Sequence, residues 1–169
     1  MGRKALESVR LILKPLSFNE LSQINENEIE NIETIIELGA ISDLVKLAIS
    51  KKLGKMKNVN KDIHEWYTYW LIIDKDNQKG VGFIGFKGLP SKNGYSEVGY
   101  SISPNYTKQR FMTEALETLV KWAYGYRECK GIIARVLKTN IGSNKVLNNC
   151  NFEVNNSSEK EENYILKFR

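Results

Sequence analysis

The chain of 169 residues carries a formal net charge of +5, with 41% hydrophobic and 27% charged residues. That length and apolar fraction exclude a disordered or low-complexity chain and fit one domain, 1–169, with its own core. Two cysteines exclude a disulfide framework, one histidine excludes a His-rich zinc site, and no apolar run is long enough to span a membrane.

The start, MGRKALES, has no apolar stretch and is not a secretory signal, and Leu6 stands where N-myristoylation at Gly2 would need Ser or Thr. Residues 9–15, VRLILKP, predict a first strand stopped by Pro15. Ser17 or Asn19 caps a helix carrying Leu21 and Ile24, and a further helical stretch from Glu28 to Glu37 spaces Ile29, Ile32 and Ile36. After Gly39, Ser42 caps a helix with Leu44, Leu47 and Ala48 facing one way and Gly54 as its stop. A lysine-rich loop follows over 55–65, with His64 solvated in it.

From Tyr67, YTYWLIID and VGFIGFKG predict a hairpin, and YSEVGYSIS a third strand. The third strand sets Val98, Tyr100 and Ile102 on one face and Glu97, Gly99, Ser101 and Ser103 on the other. Met112, Leu116, Leu119, Val120 and Ala123 form the stripe of an amphipathic helix ending near Gly125. GIIARVL is a buried strand, NIGSNKVLNNCN a helix, and FEV and NYILKFR two closing strands. The order predicts a mixed α/β fold, a central and largely antiparallel sheet flanked by helices.

SPNYTKQRFMTEA, residues 103–115, has the outline of a turn that opens a helix onto a phosphate, yet it contains no glycine. A helix N-terminus offers unpaired N–H groups and a positive dipole end to an anion. Lys108 and Arg110 stand at the wrong end for that dipole, which makes sense if a polyanion sits above them or if both simply lie in solvent.

The segments ESVRLILKPLS, EVGYSISPNYTKQRFMTEAL and NIGSNKVLNNCNFE together resemble the GNAT superfamily of acyl-CoA N-acyltransferases, closest to its ribosomal-protein and antibiotic N-acetyltransferases. Arg10, Leu11, Leu13, Lys14, Pro15 and Leu16 match its opening strand, and Glu97, Gly99 and Tyr100 its central one. At the three signature positions of its pyrophosphate loop this chain has Thr107, Arg110 and Met112, and each departs from the family pattern. With a helical φ, the residue at 110 keeps its N–H for a phosphate, and the Arg110 side chain either grips that phosphate or blocks it.

The resemblance implies acetyl-CoA as co-substrate, an amine acceptor on a small molecule or peptide, and a monomer or homodimer in the cytoplasm. Lys108, Gln109, Arg110, Phe111, Met112 and Thr113 would hold the cofactor's phosphates, and Asn140 and Ser143 its pantetheine arm. A backbone N–H near Ser101 and Ile102 would stabilise the thioester oxygen. Glu97 is the candidate base, weighed against a solvated carboxylate, and with Leu147 in the slot where relatives carry an acidic Tyr, Ser143 or water is left as proton donor. Asn140 also reads as a plain N-cap, and Asn151 as a left-handed helix stop. Trp66, Tyr67, Tyr69 and Trp70 line the acceptor pocket or belong to the core. Lysines between 51 and 61 lack the aromatic interleaving of a specific nucleic-acid site. Neither a metal nor a membrane partner is expected. An alternative on the same fold is a non-catalytic acyl-CoA-binding or protein-interaction module.

Overall fold

The computed structural model describes residues 4–168. The expectations for Gly2 and for Arg169 lie outside the described residues. Eight strands form one sheet: β1 (Leu6–Glu7), β2 (Leu11–Pro15), β3 (Trp70–Asp74), β4 (Gly80–Phe86), β5 (Tyr95–Ile102), β6 (Gly131–Leu137), β7 (Glu153–Ser157) and β8 (Glu161–Lys167). Their order is β1-β2-β3-β4-β5-β6-β8-β7, antiparallel throughout except for β5 beside β6. Four α-helices flank it: α1 (Phe18–Asn25), α2 (Asp43–Met56), α3 (Phe111–Tyr124) and α4 (Ile141–Asn149).

Period-two alternation splits the strand side chains between two cores. Leu11, Leu13, Trp70, Ile72, Phe86 and Val98 face α3, where Leu116, Leu119 and Ala123 complete the cluster. Leu71, Ile73 and Phe83 face the other way, against Leu21 and Ile24 of α1 and Val45, Ile49 and Met56 of α2. The expected stripe of α3 is therefore present, and Ser17 caps α1 in a reciprocal box with Glu20. Asn140 caps α4. At the other end of α4, Asn151 takes φ 68°, and Asn151 N–H and Phe152 N–H donate to Asn148 and Leu147 carbonyls, a Schellman stop.

Five local expectations are corrected. The stretch 28–37 is not a helix: only a 3-10 turn, Ile29–Asn31, forms there. Its backbone bonds the sheet instead, with Glu37 N–H donating to Gly80 O and Gly80 N–H to Ile35 O, while Ile32 and Ile36 are buried without helical geometry. Helix α2 runs through Gly54 to Met56, since nothing there demands a left-handed residue. Its buried face is Val45, Ile49, Lys52, Leu53 and Met56, whereas Leu44 and Leu47 are exposed. The loop after it contains a 3-10 turn, Lys61–Trp66, that buries His64 against Met56 O at 3.0 Å, so the histidine is not solvated and the strand starts at Trp70.

The feature that positions a site is a fork. β5 pairs with β6 only across 95–97 and 131–133, then continues along β4 to Ile102, while β6 stays with β8 to Leu137. Beyond Glu97 and Ile133 the two strands share no further pairs.

Candidate active site at the strand fork

Alternation in an antiparallel ladder decides which backbone groups face the fork. Lys87 N–H donates to Glu97 O, and Ser103 N–H to Val81 O. With the β4–β5 register between them, N–H groups of Gly99 and Ser101 therefore face β4, and those of Tyr100 and Ile102 face the fork. Of the two residues expected to supply an N–H there, Ile102 is oriented to do so and Ser101 is not.

A cavity of about 810 Å³ opens beside this edge, between β5, the start of α3 and the start of α4. That size is usual for a small-ligand site. Of the expected cofactor residues, Ser101, Ile102, Lys108, Arg110, Phe111, Met112, Thr113, Asn140 and Ser143 line it, and Gln109 does not. Gln109 instead reaches Asn105 O at 3.5 Å. Lys108, Arg110 and Lys145 bring positive charge to the lining, which contains no Asp or Glu among the described residues.

The turn before α3 keeps the backbone of a glycine turn without glycine. Lys108 has φ 64° and Arg110 φ 63°, both left-handed, so the expectation of a helical φ at 110 is corrected. A side chain there costs about 1–2 kcal/mol per residue. Arg110 is the N-cap of α3 and makes no side-chain capping bond. The first helical bond in this region runs from Glu114 N–H to Arg110 O, and none of the N–H groups of 108–113 donates a hydrogen bond among the described residues. Consecutive unpaired amides in such a turn form an anion-binding concavity.

The turn is clamped from the bend between β1 and β2. Glu114 accepts from Ser8 Oγ at 2.5 Å, from Arg10 N–H at 2.8 Å and from Arg10 Nε at 2.8 Å. Burial alone would raise the Glu114 carboxyl, but the Ser8 and Arg10 bonds and the Arg10 charge bring it below its ordinary value. The same guanidinium lies 4.4 Å above the Phe111 ring. Arg10 thus ties the bend before β2 to the start of α3, a link that sequence spacing alone does not reveal.

Asn140 Oδ1 accepts from Ser143 N–H at 3.0 Å, so Asn140 is both an N-cap and a lining residue. Leu147 is fully buried and does not reach the cavity. The phenol near that place belongs to Tyr100, whose Oη donates to Ser143 O at 3.2 Å and whose ionisation burial pushes up. Sequence reasoning matched Tyr100 to a motif but missed it as a lining hydroxyl.

Glu97 lies outside this cavity, at the base of the fork. Its Oε2 sits 2.5 Å from Lys87 Nζ and 3.4 Å from Arg135 Nε, and the side chain is 17% exposed, so it is not a freely solvated carboxylate. Oε1 makes no hydrogen bond or ion pair among the described residues. Trp66 and Trp70 are core, packed around Trp122 at ring distances of 4.7 Å and 5.2 Å. Tyr69 lines a second cavity, on the α2 face.

Among the described residues no helix is long and apolar enough to cross a membrane, and no group of three or more His, Cys, Asp or Glu side chains is placed to hold a metal ion. Cys129 and Cys150 are buried, and burial pushes the Cys150 thiol up to about 12.

Residues 10–153 match the family model described as an acetyltransferase (GNAT) domain. An uncharacterized N-acetyltransferase of Bacillus subtilis (strain 168), YjdG, is 33% identical over 99 residues, 59% of this chain and 59% of that protein. The matched region thus spans less than two thirds of that relative. Another from the same organism, YoaA, is 30% identical over 158 residues, 88% of this chain and 82% of the relative. In fold the chain resembles a ribosomal alpha-N-protein acetyltransferase solved with coenzyme A, at a TM-score of 0.70 and 14% identity over 97% of this chain and 98% of that one.

Proposed function

The chain belongs to the GNAT acetyltransferase family, whose model matches residues 10–153, and on that premise we propose that it moves an acetyl group from acetyl-CoA directly to an amine. The observation that carries this reading is the run of unpaired N–H groups over 108–113, opening with Lys108 and Arg110 onto the larger cavity. Such donors at a helix N-terminus suit a pyrophosphate, and among the described residues the lining holds cations and no Asp or Glu to oppose it. The cavity continues to Asn140 and Ser143 and to the free edge of β5, a course that suits a pantetheine arm ending at the fork.

When bound, acetyl-CoA supplies a thioester open to attack by a neutral amine. What remains is the work of this chain. Ile102 N–H, facing the fork, is the donor for an oxygen that gains negative charge there. Glu97 Oε1 takes the proton of the acceptor ammonium, directly or through a water, while Oε2 stays held by Lys87 and Arg135. Ser143 and Tyr100 are the hydroxyls available to return a proton to the departing thiolate. A thiol of pKa about 8.5 also leaves tolerably as the anion, so this donor matters less than the base. The acceptor is the primary amine of a small molecule or of a protein N-terminus.

Thiol release from acetyl-CoA across a panel of amines tests the reading. Glu97→Gln is expected to lower turnover by about 100-fold with acetyl-CoA affinity retained. Full transfer by Glu97→Gln would remove Glu97 from the reaction. Acetyl-CoA binding with no release on any amine would reduce the chain to an acyl-CoA-binding module.

A further inference from the structure

The second cavity, of about 410 Å³, lies on the opposite face of the sheet from α3 and α4, between α2 and the β4–β5 floor. Its floor is the cross-strand pair Gly85 and Gly99. A Cβ on Gly85 would meet Thr68 O at 2.3 Å, whereas one on Gly99 would meet nothing nearer than Lys87 Cε at 3.7 Å, so the bare floor at Gly99 is open space rather than close packing. Gly99 lies on β5 between Glu97 and the fork-facing Tyr100. The two cavities therefore reach the same stretch of β5 from opposite faces of the sheet, where β6 has turned away.

The lining of the second cavity is cationic. Lys51, Lys52, Lys55, Lys87 and Arg135 line it, and among the described residues no Asp or Glu does. Lys87 and Arg135 share one carboxylate oxygen, that of Glu97. Among the described residues, Lys55 Nζ donates only to Lys87 O, at 2.9 Å. Lys52 is 7% exposed, and its ammonium donates to Phe86 O at 2.9 Å and Tyr67 O at 3.2 Å above the Tyr69 ring, with no carboxylate partner among the described residues. Lysine is seldom buried without an ionic partner. Burial first, then the Lys55 and Lys87 charges, lower this ammonium to about 7, which an anion in the cavity would reverse.

We propose that the second cavity receives the acceptor, and that the acceptor is a small amine bearing a carboxylate or a phosphate, drawn in by Lys51, Lys52, Lys55 and Arg135 so that its amine meets Glu97 at the fork. This deepens the acetyltransferase reading and rests on it for the reaction, while the anion preference stands on the cavity alone. Charge complementarity of this kind sets selectivity and encounter rate more than raw affinity.

The test pairs acids with neutral analogues of the same amine: β-alanine with β-alaninamide, and phosphoethanolamine with ethanolamine. Transfer is read as thiol release from acetyl-CoA, and binding as ligand-observed NMR with and without acetyl-CoA. The acid of at least one pair is expected to be preferred by about tenfold or more, and which pair shows it tells carboxylate from phosphate. The preference should collapse in Lys51→Gln/Lys55→Gln, two exposed sites whose replacement leaves both cores intact. Equal binding and transfer of acid and neutral members, or a preference unchanged in the double variant, would overturn the proposal. If no amine is acetylated, the acetyltransferase reading fails, and the NMR preference still decides the anion site by itself.

Discussion

The two cavities on either side of β5 attract negative charge by different means. In the larger one the donors are main-chain N–H groups of 108–113, held by the left-handed turns at Lys108 and Arg110 and by the Arg10–Glu114 clamp. In the smaller one the charge is on side chains, above all the buried Lys52. A backbone site tolerates replacement of its side chains as long as φ is kept, so the signature positions at 107, 110 and 112 can depart while the concavity persists. A side-chain site has no such tolerance, because each replacement changes the charge itself.

The contrast breaks most visibly if a carboxylate is placed on the amides. Arg110→Glu keeps the N–H groups but sets an anion where the pyrophosphate would sit, and acetyl-CoA affinity should fall by about 100-fold in a titration. Retained affinity would mean that the amides do not hold the phosphates.

A pH effect sharpens the side-chain half. Lys52 is lowered from an ordinary 10.5 to about 7 by burial and by its lysine neighbours. Below about 7 folded and unfolded chains both carry the proton, and the fold bears the full cost of the buried charge. Above it the folded chain sheds the proton that the unfolded chain keeps up to 10.5, so stability rises with pH across that window. Across the whole window the gain should be about 5 kcal/mol in chemical denaturation, and Lys52→Met should flatten it. An equal slope in the variant would assign the pH dependence to other groups.

The smallest effect separates backbone from side chain at a single residue. Arg110→Gly removes the penalty of a left-handed side chain and should raise stability by about 1 kcal/mol, read as the unfolding midpoint in denaturant. A loss of stability would mean that the Arg110 side chain makes contacts worth more than the strain.

Much of the fold was legible because periodicity reports which face is buried, as for α3 and the alternating β5. The same logic failed at 28–37, where isoleucines at helical spacing are buried by an irregular segment whose backbone bonds Gly80. It failed again on α2, where Leu44 and Leu47 look like a core face but are exposed at the second cavity, while Lys52 takes a core position. The residues of the larger cavity were legible through motif resemblance, but the left-handed φ at Lys108 and Arg110 was not, since nothing in Lys or Arg announces that conformation. The second cavity was hidden because it needs the Gly85–Gly99 register and the docking of α2, neither of which is local in sequence.

Titrating acetyl-CoA into the wild-type chain and into Arg110→Gly by calorimetry tests the central claim most directly. Binding to both, with the variant weaker by less than about tenfold, is expected if the amides of 108–113 carry most of the phosphate affinity and the Arg110 side chain only adds to it. No binding to the wild type, or binding abolished by Arg110→Gly, would contradict a backbone-built cofactor site.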